Sequence, residues 1–308
     1  MYNYIMIHFY FGENDFAIKR QVDDVTKKFI DKYGTESVTK IDTSTTDPQK
    51  LLAEIVNTSL FALNRLIILL DAGSNKSSWE VLGENLSRVP DEIELIVVEP
   101  SPDKRTKTFK ELKKRAKVRE FNLPKNRDLT EFVLGEAADN KIEIKRDAVA
   151  ELIIFTGGDP WRITSEITKF KTLNKLVTSE LIHELVEPEL EASAFQLLDD
   201  LLSGKRDKAL NELAKLRKVE DANRFLGLLA SQVFALSAAV NAGGKNSASV
   251  ASDMGVHPFV MGKMFAVAKR INQTDIKRIS EIVAKTDVKI KSSGVDPWTL
   301  IELALSKI

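Results

Sequence analysis

Apolar positions along the chain predict its elements in order. Residues 5–11 are an apolar run of strand length, and residues 14–34 carry a helical period. In that helix Phe16, Val22, Val25 and Phe29 form the stripe, Asn14 or Asp15 the N-cap and Gly34 the stop. Residues 37–41 predict a second strand. Asp47 and Pro48 then supply an N-cap and a first-turn proline for a helix that runs to about Leu60. Apolar runs of strand length return at 66–70 and 95–98, and a helix over 104–116 leads into a strand at 118–121. Strands apolar on both faces, with helical crossovers between them, belong to a parallel sheet covered on two sides. The first third therefore reads as an α/β domain.

After Asn122 the strand pattern stops. Helical periods at 129–140, 147–155, 160–170 and 179–186 predict a small helical unit. Its middle turn, "FTGGDPWRI", joins the two glycines of a helix end to an Asp-Pro helix start. Polar and acidic residues near "EPELEAS" separate a third, all-helical block, with stripes of Phe195, Leu198, Leu201 and Leu202 and of Leu210, Leu213 and Leu216. Gly243 and Gly244 interrupt it. Three domains are expected: an α/β domain at 1–128, a helical domain at 129–188 and a helical domain at 189–308, a division that suits 308 residues.

Composition removes several functions. Lys plus Arg equals Asp plus Glu, 45 against 45, so no global positive field draws the chain to nucleic acid or an anionic membrane. There is no cysteine, which excludes disulfides, thiolate metal sites and cysteine nucleophiles and fits a reducing cytosol. The start "MYNYIMIHFYFGEND" lacks a basic n-region, and the longest apolar stretch, 225–240, falls short of the roughly 20 residues a membrane span needs. A cytoplasmic protein with no membrane contact is expected.

The turn after the first strand, "YFGENDF", is where a parallel sheet would place phosphates. A phosphate loop needs several glycines, a lysine and a hydroxyl. This turn has one glycine and two acids, Glu13 and Asp15, which repel an anion. "LLSGKRD" lacks the upstream glycine and the following Ser or Thr. Neither G-x-S-x-G nor H-E-x-x-H occurs, and His8, His183 and His257 lie far apart and read as structural or surface residues. No catalytic set, metal site or cofactor site emerges.

Six stretches together resemble one family, the delta subunit of the bacterial DNA polymerase III clamp loader. They are "FGENDF", "TSLFALNRLIILLDA", "DKRTKTFKELKKRAKVREF", "GGDPWRITSEITKF", "GVHPFVMGK" and "DVKIKSSGVDPWTLIELAL", in order along nearly the whole chain. The resemblance implies an AAA+-like parallel-sheet domain with a small helical lid domain, then an all-α collar domain that joins a ring-shaped pentamer. It implies no nucleotide bound by this chain, ATP hydrolysis by sister subunits, and a role in DNA replication within a nucleotidyltransferase holoenzyme. The implied partners are the sliding clamp, the ATPase subunits, delta prime and primer-template DNA. The family's clamp-binding Ser-Leu-Phe maps onto Ser59, Leu60 and Phe61.

The residues themselves leave Leu60 open. Leu52, Val56 and Leu60 fall at i, i+4 and i+8, so Leu60 can prolong a core stripe, whereas Phe61 lies off that stripe at a helix end. The run 104–119 is the one concentrated basic patch. Phe109, Leu112 and Ala116 give its helix a buried stripe and leave Lys107, Lys110, Lys113, Lys114 and Lys117 outward, either as a solvated face or as a contact to DNA phosphates. Arg162 stands one place later than the Gly-Asp-x-Arg spacing of a nucleotide-sensing arginine and reads as vestigial or structural. His257-Pro258-Phe259 and Asp296-Pro297 read as helix starts, with Trp298 in a core. A chain without cysteine lacks the zinc module and Ser-Arg-Cys trigger of delta prime. A diverged P-loop-type ATPase or helicase and a stand-alone AAA+-like adaptor remain as alternatives.

Overall fold

The structure, a computed structural model, describes residues 7–57, 64–125, 127–173, 175–256 and 258–308. The chain divides into two compact units, Met1–Pro124 and Lys125–Ile308.

In the first unit the order is β1 (Ile7–Phe11), α1 (Asp15–Tyr33), β2 (Val38–Asp42), α2 (Pro48–Val56), β3 (Arg65–Leu70), α3 (Lys76–Asn85), β4 (Ile93–Val98), α4 (Lys107–Arg115) and β5 (Lys117–Glu120). The sheet is parallel throughout, in the order β2-β3-β4-β1-β5. The alternation of strand side chains explains why residues 66–70 of β3 and 95–98 of β4 read as unbroken apolar runs. Ile67, Leu69, Leu95 and Val97 belong to a core with Leu51, Ile55, Trp79, Leu82, Phe109 and Leu112. Leu66, Ile68, Ile96 and Val98 belong to a second core with Ile18, Val22 and Phe29 of α1.

Several expected boundaries move, each for a local reason. The second helix ends at Val56 instead of continuing to Leu60, with Asn57 leaving in extended backbone. Its buried side chains are Leu51 and Ile55, one position before the expected Leu52 and Val56. The basic helix starts at Lys107, not 104, because the Thr106 hydroxyl caps the Phe109 amide at 3.3 Å. Ahead of it Asp103 and Arg105 close a turn, and these bonds lower the Asp103 pKa to about 2. β5 is an exposed edge strand, not one buried on both faces. α3 has no counterpart in the sequence reading; Asn75 caps it and Trp79 and Leu82 anchor it.

The second unit is helical: α5 (Arg127–Asp139), α6 (Arg146–Phe155), α7 (Pro160–Leu173), α8 (Ser179–Leu185), α9 (Leu190–Leu202), α10 (Arg206–Val219), α11 (Ala222–Val240), α12 (Ser247–Met254), α13 (Pro258–Ala268), α14 (Gln273–Ser292) and α15 (Pro297–Leu305). One core gathers Val133, Leu152, Ile163, Ile167, Phe170 and Ile182 from α5 to α8. Gly157 and Gly158 both take positive φ at the end of α6, where the Gly158 amide bonds the Ile153 carbonyl at 2.8 Å.

A larger core runs through α9 to α15, with Leu198, Leu213, Phe225, Leu236, Ile279 and Trp298 among its members. Leu210 is not among them. It is 47% exposed and Ala209 takes the inward position, because one residue turns a helical side chain by about 100°. Among the described helices α11 is the one long and apolar enough to cross a membrane. Phe225, Leu226, Leu229, Val233 and Leu236 along it are buried in this core.

α15 begins at Asp296, whose carboxylate accepts from the Thr299 amide and hydroxyl at 2.9 Å each and pairs with Arg217 at 3.0 Å. These bonds, the Thr299 hydroxyl first, hold the Asp296 pKa below its ordinary 3.8. A depressed carboxylate stabilises the fold fully above that ordinary value and loses its contribution as pH falls through the depressed one. Asp296→Ala is thus expected to lower the melting temperature at neutral pH. The gap from wild type should close on acidification, as checked by melts across pH 2 to 7, roughly the range over which a carboxylate titrates.

Candidate functional site

The β1–α1 turn is closed by the protein's own backbone. The Gly12 amide donates to the Pro100 carbonyl and the Asn14 amide to the Phe121 carbonyl, both at 3.0 Å. The Asn14 side chain caps α1 through the Ala17 amide at 3.0 Å and donates to the Asn122 carbonyl at 3.2 Å. Gly12 sits at φ 120°, and a Cβ there would lie 2.3 Å from the Phe121 oxygen. A phosphate cradle works by turning several free amides toward one point. Here the Gly12 and Asn14 amides are already satisfied by carbonyls, and Glu13 and Asp15 add negative charge.

A carboxylate occupies the neighbouring position at the ends of β3 and β4. Glu99, only 7% exposed, accepts from the amides of Gly73 and Ser101. The carboxyl edge of the sheet, where parallel sheets take ligands, is thus partly filled from within. The sequence signal for Glu99 is slight: a single acid closing an apolar strand.

Ser59, Leu60 and Phe61 lie outside the described residues. The nearest described positions are Asn57, which leaves α2, and Asn64, which precedes β3. Arg65 links the two, as its guanidinium donates to the Asn57 carbonyl at 3.2 Å and to Glu54 at 2.8 Å. Reasoning from sequence passed over Arg65, although a lone arginine opening an apolar strand was visible.

α4 buries Phe109 and Leu112, which brings Lys107, Lys110, Lys113 and Lys114 to an exposed face. Among the described residues none of these four lysines makes an ion pair, whereas Arg115 pairs with Glu111 at 3.1 Å and Lys104 with Glu120 at 3.1 Å. The Arg115 hydrogen bond, reinforced by Lys114 and Lys107, lowers the Glu111 pKa. Positive potential on this face is consequently local.

The remaining singled-out residues have structural surroundings. Arg162 pairs with Glu189 and donates to the Glu187 carbonyl at 2.8 Å, tying α7 to the segment before α9. His8 faces Glu94 at 3.1 Å, and His183 packs edge-on against Phe155 with ring centroids 4.8 Å apart. His257 lies outside the described residues; Pro258 after it does open α13. Trp298 is buried and stacks on Phe225 at 5.3 Å. Among the described residues no group of three or more His, Cys, Asp or Glu is arranged to hold a metal.

Fold and site together define a parallel α/β unit with a closed first turn, followed by helical domains. The family described as DNA polymerase III, delta subunit matches residues 8–122, and the family of that subunit's C-terminal domain matches residues 191–308. The chain is homologous to the delta subunit of DNA polymerase III, a clamp-loader component. DNA polymerase III subunit delta of Bacillus subtilis (strain 168) is 26% identical over an alignment of 218 residues, which covers 67% of this chain and 61% of that relative's length. The solved structure of the Bacillus subtilis DNA clamp loader delta protein (YqeN) is similar in fold. It has a TM-score of 0.55 at 20% identity and covers 98% of this chain and 94% of that one.

Proposed function

We propose that this chain is a clamp-loader delta subunit that binds the DNA sliding clamp and opens it for loading onto primed DNA, in the cytoplasm and without catalysis of its own. The observation that carries this reading is homology at both ends of the chain to the delta subunit. The closed β1–α1 turn supports the absence of nucleotide chemistry, because its amides are spent on protein carbonyls. In this reading the first unit is AAA+-like, α5 to α8 form a lid, and α9 to α15 form a collar that joins ATPase subunits and delta prime.

The working part is a hydrophobic plug of Leu60 and Phe61 beside Ser59, seated in an apolar pocket of the clamp. Binding opens the ring only to the extent that it favours the open form over the closed one. The direct test is gel filtration with the cognate clamp; wild type comigrates, and failure to do so at micromolar concentrations overturns the proposal.

The lysine face of α4 is the proposed contact to primer-template DNA. Neutralised phosphates release counterions, each adding about 0.9 to the slope of log affinity against log salt. Lys110→Glu with Lys114→Glu, assayed in the assembled loader, is therefore expected to flatten that slope by about two. Identical slopes for variant and wild type would reduce the face to a solvated surface.

A further inference from the structure

We propose that Arg65 is a positioning residue for the clamp-binding element, an inference that rests on the clamp-loader reading above. Its backbone is fixed by the sheet: the amide bonds the Glu92 carbonyl at 2.9 Å and the residue registers against Ile93 of β4. Its side chain is only 15% exposed, an unusual environment for a guanidinium at the head of a strand that continues Leu-Ile-Ile-Leu-Leu. Removing such a group from water is costly unless specific bonds compensate.

Among the described residues, both bonds of that guanidinium reach back to one place. Nη2 meets the Glu54 carboxylate at 2.8 Å, and Nη1 meets the Asn57 carbonyl at 3.2 Å. Glu54 sits in the last turn of α2, where the helix dipole disfavours an anion, so the arginine also offsets that charge. Asn57 is the point where the chain departs after α2, and Arg65 itself opens the strand to which it returns. One side chain thus sets the separation between the two ends of the stretch that carries Ser59, Leu60 and Phe61.

A short connection with fixed ends has fewer conformations to lose than one with free ends. Ordering cost at an interface is subtracted from affinity, so fixing the ends before contact strengthens binding without adding any contact. Arg65 does this without touching the clamp. The sequence requirement is specific: a fork that serves a carboxylate and a carbonyl together, which lysine supplies only in part.

The test measures clamp affinity and dissociation rate for the full-length chain by biolayer interferometry below the melting temperature of every variant. Arg65→Met is expected to weaken binding about 10-fold, mainly through faster dissociation, with Arg65→Lys intermediate and Glu54→Gln showing a smaller loss. The same substitutions are then made on Phe61→Ala. Positioning requires the Arg65→Met factor to shrink to about twofold or less in that background, since there is less plug left to position. An equal factor in both backgrounds, or wild-type affinity for Arg65→Met, overturns the proposal. Where Arg65→Met fails to fold, Arg65→Lys carries the same comparison. A Phe61→Ala chain that binds as tightly as wild type instead removes the plug assignment, and a wild-type chain that does not bind the clamp removes the clamp-loader reading itself, so these failures are distinguishable from that of Arg65.

Discussion

Leu60→Ala combined with Phe61→Ala is expected to end comigration with the cognate sliding clamp while leaving the melting temperature of the chain nearly unchanged. Burying one such side chain yields about 1.5–3 kcal/mol, so losing both weakens binding by roughly two to four decades in Kd. Few contacts at an interface carry energy on this scale. The rival account makes Leu60 a core residue by prolonging the stripe of Leu52 and Val56. In the structure α2 ends at Val56 and buries Leu51 and Ile55, with Val56 partly buried against the same core, while Leu60 and Phe61 lie outside the described residues. The two accounts predict different measurements: a core pair lowers the melting temperature, whereas a plug lowers only affinity. Undiminished affinity of the double variant would refute the plug, and a collapsed melting temperature would return Leu60 and Phe61 to the interior.

The elements that sequence revealed are those whose cause is local. β3 and β4 were visible because both faces are covered, so residues 66–70 and 95–98 are apolar without a break. Asn14, Asp47 and Asp296 were visible as caps because only a short polar side chain can satisfy the orphan amides of a first turn. α3 was missed because its apolar residues are diluted by serines, glycine and acids, and its stability comes from packing against the sheet. Leu210 was misplaced because Ala209, although small and only weakly apolar, fills the inward position of α10.

The placement of β1 between β4 and β5 and the closed turn at Gly12 depend on residues about 90 to 110 positions apart, such as Gly12 with Pro100 and Asn14 with Phe121. No hydrophobic period encodes such pairings. In the candidate site the lysine face of α4 was legible from its buried stripe of Phe109 and Leu112. The roles of Glu99 and Arg65 were not, since Glu99 depends on the Gly73 amide in the turn after β3 and Arg65 on Glu54 and Asn57 at the end of α2.

Phe225→Ala should produce the largest loss of stability, about 3–5 kcal/mol, the usual range for emptying an aromatic site in a closed core. The ring is fully buried in α11 and stacks on Trp298 of α15 at 5.3 Å and 29°. Trp298→Ala should cost a similar amount. The two should combine less than additively, because the second truncation removes an already broken contact. Denaturant unfolding followed by circular dichroism measures all three, fitted for the two units of this chain and not as one transition. The division into units gives the experiment a functional arm. In the proposed mechanism clamp binding belongs to the first unit and assembly with ATPase subunits to the second. Conditions that melt only the helical unit of Phe225→Ala should therefore abolish assembly while clamp capture persists. Loss of both together would place part of the clamp-binding work among the helices, and a destabilisation below about 1 kcal/mol would mean that the Phe225 site refills by collapse.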